Sequence, residues 1–201
     1  MVSKLSEKTQ FIAKKICAFR SFRYGRTYMK KYKNEEILCK TDDGSTVSVF
    51  RPSLFCLIPH NSGNLETERG VKIRFLYRLF IGYRIYLMRG EDEFLAYVMF
   101  QKGKIARYPF VERGTLLMGP YFVSEKHRGN AYAKQLLEIA LKQMNSYSAV
   151  FAWIVSDNEP SRRTVSNVGF SRVGWLDISG VKKAVTHTLT KHELWKKELT
   201  D

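Results

Sequence analysis

The chain is short of several things, and each shortage excludes something. It has three cysteines in 201 residues, Cys17, Cys39 and Cys56. An odd, widely spaced set without a Cys-x-x-Cys pair gives neither a disulfide framework nor a zinc site, so reduced thiols in a cytoplasm are expected. Long apolar runs are missing too. The stretch from Phe75 to Met88 is interrupted by Arg78 and Arg84, so no transmembrane segment is expected. The opening Met1-Val2-Ser3-Lys4-Leu5 leads into no apolar h-region, which argues against a secretory signal. Proline and serine tracts that would mark a linker are absent, as are repeats with periods of 20–50 residues.

Acidic residues are scarce: 19 against 34 basic ones, for a net charge of +15. The imbalance is concentrated. Residues 1–33 hold ten Lys and Arg and a single acid, Glu7, interleaved with Phe11, Phe19, Phe22, Tyr24, Tyr28 and Tyr32. We read residues 1–35 as a basic helical N-terminal extension and 36–201 as the main domain. Such a block either grips an anionic partner, nucleic acid or a membrane surface, or is a solvated basic helix packed by its apolar side.

What is present is an ordinary globular core, 44% hydrophobic and rich in phenylalanine. Two short runs, Ile37–Lys40 and Val47–Phe50, flank Asp43-Gly44 and predict a hairpin. Residues 51–70 are loop-like, and 71–83 place Leu76, Leu79, Phe80 and Tyr83 at helical spacing. Strands are predicted at Arg84–Met88 and Phe94–Gln101, turning at Gly90-Glu91-Asp92. Thr115–Val123 is nearly all apolar, as for a central strand buried on both faces. Ala133, Leu136, Leu137, Ala140, Leu141 and Met144 repeat at helical period over about 129–145. A strand at Ala149–Val155, a polar helix at 159–168, and strands at Ser171–Ile178 and Val185–Leu189 follow. The order β-β-β-α-β-α-β-β is mixed α/β around one sheet.

The chemistry is expected where the Thr115–Val123 strand turns into the next helix. Small residues Gly129, Ala131 and Ala133 open that helix, and its N-terminal N–H groups would attract a phosphate that small side chains let come close. Lys126 and Arg128 would add charge-assisted hydrogen bonds. A helix start merely packed on a sheet is the other reading of the same residues.

The run Arg128-Gly129-Asn130-Ala131-Tyr132-Ala133 is similar to the Arg/Gln-x-x-Gly-x-Gly/Ala signature of the GNAT superfamily of N-acetyltransferases, with Ala131 where Gly is usual. Asn158-Glu159-Pro160-Ser161 followed by Val168-Gly169-Phe170 resembles its second signature. The resemblance covers roughly residues 84–180. It implies the GNAT fold: a mixed, mostly antiparallel sheet flanked by helices, with splayed central parallel strands. It also implies acetyl-CoA as co-substrate and an amine acceptor. The main chain of Arg128, Gly129, Asn130, Ala131, Tyr132 and Ala133 would hold the pyrophosphate. Pro120, Tyr121, Phe122 and Val123 would pair with the pantetheine arm, with Asn158 and Ser161 on its other side. For Asn158, helix capping before Pro160 is an equally simple role.

Direct transfer needs a deprotonated amine and a proton for the departing thiolate. Glu112, Glu91, Glu93 and Glu125 are the candidate bases, and none is singled out by spacing. The superfamily's usual tyrosine acid, four residues before the Gly-Phe, is Val165 here, which leaves Tyr121, Tyr132 or Ser166 as donors, or a thiolate that departs unaided. His127 reads as a phosphate neighbour or a solvated turn residue. The expected function is acetyl transfer to a primary amine of a small molecule, an amino sugar being one candidate, with the acceptor pocket built from 51–83 and 103–114. A nucleic-acid- or membrane-surface-binding protein of this fold with weak or no turnover is the alternative, and a coenzyme-binding scaffold a third. A homodimer and an anionic partner at the basic N-terminus complete the expected partners.

Overall fold

Thr41, Asp43, Gly44 and Ser45 close the first hairpin by local hydrogen bonding. The Ser45 N–H donates to Asp43 Oδ1 at 3.1 Å, and Gly44 takes φ +82°. This joins β1 (Glu35–Lys40) to β2 (Thr46–Phe50), as the Asp-Gly predicts. The computed structural model describes residues 34–63, 65, 71–91, 93–102, 111, 113–176 and 192–199. The basic helical extension up to Lys33 and the expected strand at 185–189 therefore lie outside the described residues. Glu35, assigned to the extension from sequence, opens β1.

Helix α1 (Val71–Ile81) ends at Gly82, whose N–H donates to the Arg78 carbonyl at 2.9 Å with φ +84°. A residue free to enter the left-handed region stops the helix there. The helix is where the spacing places it, but its buried contact differs. Phe75 is packed inside, whereas Leu76 and Phe80 point outward, Phe80 with 81% of its surface exposed. β3 (Tyr83–Arg89), β4 (Phe94–Lys102) and β5 (Thr115–Val123) follow, then α2 (Tyr132–Leu141), β6 (Ala149–Val155), α3 (Glu159–Asn167), β7 (Ser171–Leu176) and β8 (His192–Glu198).

The sheet runs β1-β2-β3-β4-β5-β6-β8-β7, and every neighbouring pair is antiparallel except β5 with β6. One face carries Tyr86, Phe100, Leu116 and Met118 against Leu136, Leu137 and Ala140 of α2 and Val165 of α3. The other carries Ile85, Leu87, Phe94, Tyr97 and Met99, packed with Phe75 of α1 and with Leu57 and Ile58. Each fully buried side chain of this size stabilises by roughly 1.5–3 kcal/mol. No helix among the described residues is long and apolar enough to cross a membrane.

The last strand was illegible for a physical reason. β8 reads His192-Glu193-Leu194-Trp195-Lys196-Lys197-Glu198, too polar to resemble a core strand, yet Glu193 is buried. Arg162 of α3 at 3.2 Å, Arg172 of β7 at 3.4 Å and the Trp195 indole N–H at 3.1 Å compensate its charge. A buried carboxylate is tolerable only with such partners.

Candidate active site

β5 is two strands in one. Thr115, Leu116 and Leu117 pair with Ala149, Val150 and Phe151 of β6, and there the parallel pairing stops. β6 stays paired with β8 to its end, Val155 opposite His192, while β5 follows β4 to Val123 opposite Ala96. The two central strands therefore part beyond Leu117. Gly119 and Pro120 supply the cause. Val98 faces Tyr121 and Phe100 faces Met118, so two residues of β5 oppose Met99 alone. Such a bulge bends a strand, and Pro120 has no N–H to offer a ladder. Gly119 leaves room for the end of Met99, whose Cε would lie 2.5 Å from a Cβ at that position.

The sequence reading of Thr115–Val123 as buried throughout is corrected here. Thr115–Met118 are buried, but Gly119 is half-buried, Pro120 is exposed, and Tyr121, Phe122 and Val123 are half-buried. The Ser124 N–H donates to the Leu95 carbonyl at 2.8 Å. Because an extended chain alternates sides, the N–H and C=O groups of Tyr121 and Val123 point the other way, into the gap between β5 and β6.

The turn after β5 holds a short 3₁₀ segment, Glu125–His127, and two left-handed residues, Gly129 (φ +89°) and Ala131 (φ 58°). These two postpone α2 to Tyr132, three residues later than periodicity suggests. The first α-helical bond of that turn runs from the Gln135 N–H to the Ala131 carbonyl at 3.0 Å. The N–H groups of Tyr132, Ala133 and Lys134 are thus free of intrahelical partners, with no acidic side chain in the first turn. Nothing lies within 4 Å of a Cβ built on Gly129, and Lys126, Arg128 and Asn130 are exposed around it. Among the described residues Arg128 pairs with Glu125 alone, an exposed contact at 3.4 Å. His127 Nε2 lies 3.0 Å from Glu93 Oε2, tying the turn to the β3–β4 connection.

Tyr121 reaches across to α3. Its hydroxyl is buried with no hydrogen-bond partner among the described residues, and Ser161 and Thr164 are polar neighbours on α3. Burial pushes its phenol pKa up. Val165, at the superfamily's tyrosine position, is wholly buried and carries no proton to give. Asn158 caps α3, its Oδ1 accepting from the Ser161 N–H at 3.2 Å, a cap that does not involve its NH₂ group. Tyr132 is engaged elsewhere. Desolvation and the neighbouring Asp43 carboxylate push its phenol pKa up, while Thr41 and then Ser45 hold the Asp43 carboxyl down at about 2.

The structure thus brings together Pro120–Val123, the 128–133 turn, and the start of α3 with Asn158 and Ser161. Among the candidate bases, Glu93 and Glu125 are held by His127 and Arg128, Glu91 is exposed, and Glu112 lies outside the described residues. Sequence reasoning missed Thr164, Asp43 and, on the opposite sheet face, Phe94, Tyr97 and Trp153. There Phe122 stacks with Phe94 and Tyr97 at centroid distances of 6.2 and 6.0 Å, and on β6 Trp153 meets His192 at 5.1 Å. Among the described residues no group of His, Cys, Asp or Glu could hold a metal ion.

An open strand edge beside a helix N-terminus is a cleft with one anion-binding end. Residues 63–170 match the model of the acetyltransferase (GNAT) family. The chain belongs to the GNAT acetyltransferase family. Acetyl-CoA is the acetyl donor of that family. No curated protein matches the chain. Among solved structures, a candidate phosphinothricin N-acetyltransferase superposes with a TM-score of 0.56 at 17% identity, covering 77% of this chain and 99% of its own. The acetyltransferase yncA from Salmonella typhimurium, a candidate by its name and solved with acetyl-CoA, gives 0.55 at 13% identity, with 77% and 95% covered. The ribosomal-protein-S18-alanine N-acetyltransferase from Escherichia coli gives 0.56 at 9%, again with 77% and 95%. These likenesses carry the fold alone.

Proposed function

We propose that this acetyltransferase moves the acetyl group of acetyl-CoA to a primary amine of a small-molecule acceptor by direct attack. The observation that carries the reading is the parting of β5 from β6 beyond Leu117, next to a helix start whose N–H groups have no internal partners. The residues present fit the co-substrate. The N–H groups at the start of α2 suit a pyrophosphate, and the 128–131 turn and Lys126 add positive potential. Tyr121 and Val123 offer donors and acceptors to an amide-bearing arm laid along β5, as a peptide adds to a sheet edge. Bound there, acetyl-CoA supplies an activated thioester.

Tyr121 is the proton donor in this reading. Its buried hydroxyl keeps its proton at neutral pH because burial disfavours the phenolate. It would protonate the departing sulfur and regain a proton from water, while the attacking amine loses one to solvent. A main-chain N–H of Tyr121 or Val123 would stabilise the oxyanion by about 3 kcal/mol, the scale of a single such donor. Ser161 and Thr164 are the phenol's polar neighbours on α3. Tyr132, beside Asp43, positions the turn instead. The acceptor would enter over the opposite face, between the Phe122 stack and Trp153, where flat apolar surfaces suit an amine carried on a ring. An amino sugar is the class to try first.

The test joins calorimetry with acetyl-CoA to thiol release over a panel of amino sugars, aryl amines and polyamines. Binding followed by release with a ring-bearing amine is expected. Binding without release on any amine would make the protein a coenzyme-binding scaffold, and no heat with acetyl-CoA would remove the reading. The ten cations among residues 1–33 support one other reading, a nucleic-acid or anionic-membrane binder. Filter binding and liposome flotation of the full chain, with those cations replaced by Gln as comparison, distinguish it.

A further inference from the structure

A second cavity lies at the opposite end of α2. It has a volume of about 230 Å³ and a floor of Tyr86, Phe100, Leu116 and Met144, all buried. Three cations stand over it on adjacent strands: Arg51 just past β2, Arg84 on β3 and Lys102 on β4. The register explains their grouping. Phe50 pairs with Ile85, so Arg51 comes opposite Arg84. Arg84 pairs with Phe100, so Lys102 is its diagonal neighbour. All three therefore project on the face that α2 covers.

Like charges placed directly opposite on neighbouring strands destabilise a sheet unless something compensates them. Glu36 compensates Arg51 at 2.7 Å. Among the described residues no carboxylate lies within ion-pair distance of Arg84 or Lys102. Arg84 instead lies beside the buried Tyr86 phenol at the cavity, where its charge partly offsets the upward push of burial on that phenol's pKa. Lys102 is held by its stem, packed over Gly82, where a Cβ would meet its Cε at 2.5 Å. Two cations with no carboxylate partner among the described residues, set above an apolar floor, form a receptor for an anion.

We infer that this cavity is a binding site for a small organic anion, a phosphate or carboxylate head on one ring or a short chain. The head would rest on Arg84 and Lys102, and the apolar body on Phe100, Leu116 and Met144. The volume sets the size, since drug-sized ligands fill about 300–1,000 Å³. The site is separate from the coenzyme cleft. One lies at the start of α2 and the other beyond its end, and ten residues at 1.5 Å each put about 15 Å of helix between them.

The experiment titrates the full-length protein with phenyl phosphate by calorimetry, with and without saturating acetyl-CoA, using inorganic phosphate for comparison. Saturable one-to-one binding that survives acetyl-CoA and exceeds that of inorganic phosphate is expected. Arg84→Gln and Lys102→Gln should each weaken it at least fivefold while leaving acetyl-CoA affinity unchanged. Lys102 is exposed, so its variant tests the site even if loss of the Arg84–Tyr86 contact unfolds the other. No saturable heat, displacement by acetyl-CoA, or undiminished binding in Lys102→Gln would each overturn the proposal. The arm without coenzyme stands whether or not the acetyl-transfer reading survives.

Discussion

The two halves of β5 are built on opposite principles. Thr115–Met118 are buried, and Leu116 and Leu117 are paired on both sides, with β4 and with β6. Gly119–Val123 are paired on one side only, opened by a glycine that fits under Met99 and a proline that cannot continue a ladder. The first half works through side chains and holds the sheet. The second works through its backbone, and one side chain, Tyr121, crosses to α3. A fold half should therefore fail in stability when cut, and a function half should fail in turnover.

The largest expected effect is on the fold half. Leu117→Ala removes a buried side chain packed with Val111, Phe151 and Trp153. It should lower unfolding free energy by about 2–5 kcal/mol, measured by urea denaturation, with per-molecule activity retained below the transition. A loss below about 1 kcal/mol would mean that the two strands are not fastened at this point.

Tyr121→Phe is the matching cut in the function half. It removes a hydroxyl without a hydrogen-bond partner, so stability should change little. The thiol-release rate should fall about 100-fold, the lower range for general acid catalysis, with acetyl-CoA affinity unchanged. The sign in pH follows from burial. A donor must be protonated, and its pKa is pushed above the ordinary phenol value of about 10. No alkaline loss from this group is expected below that pH. An unchanged rate in the variant would dismiss Tyr121 as the acid.

Arg128→Glu should act more gently. The side chain is exposed, so solvent screens it, and the main-chain donors of α2 remain. Acetyl-CoA affinity should drop about five- to tenfold at low salt and less at high salt. An effect independent of salt would place the pyrophosphate elsewhere.

Legibility in the sequence followed the same division. Periodicity located β3 to β6 and α2, because bulk and spacing carry that information along the chain. The turn between β5 and α2 was legible as well, since Gly129 and the small residues after it are a local pattern. What escaped was long-range compensation. β8 hid behind Glu193, whose partners Arg162 and Arg172 lie about 20 to 30 residues upstream. The extended reading of β5 missed its bend, because Gly119 matters only once Met99 is seen above it. Tyr132 was a plausible acid until Asp43, 89 residues away, was found beside it. The row Arg51, Arg84 and Lys102 likewise exists only through strand register.

The smallest effect tests the turn itself. Ala131 adopts φ 58°, a left-handed conformation that costs a residue with a Cβ about 1 kcal/mol or somewhat more. Its side chain is exposed, so removing the methyl group forfeits little packing. Ala131→Gly relieves that strain but gives the unfolded chain more freedom, an opposing contribution of about 0.4–1 kcal/mol. The difference leaves a gain of about 0.5 kcal/mol, or one to two degrees in melting temperature for a chain of this length. Gly129→Ala is the mirror experiment. Gly129 sits at φ +89° in open space, so the added methyl group clashes with nothing and brings strain alone, about 1 kcal/mol of loss. Opposite signs at two positions in one turn would show that backbone conformation, not side-chain contact, shapes the start of α2. Equal signs would contradict it.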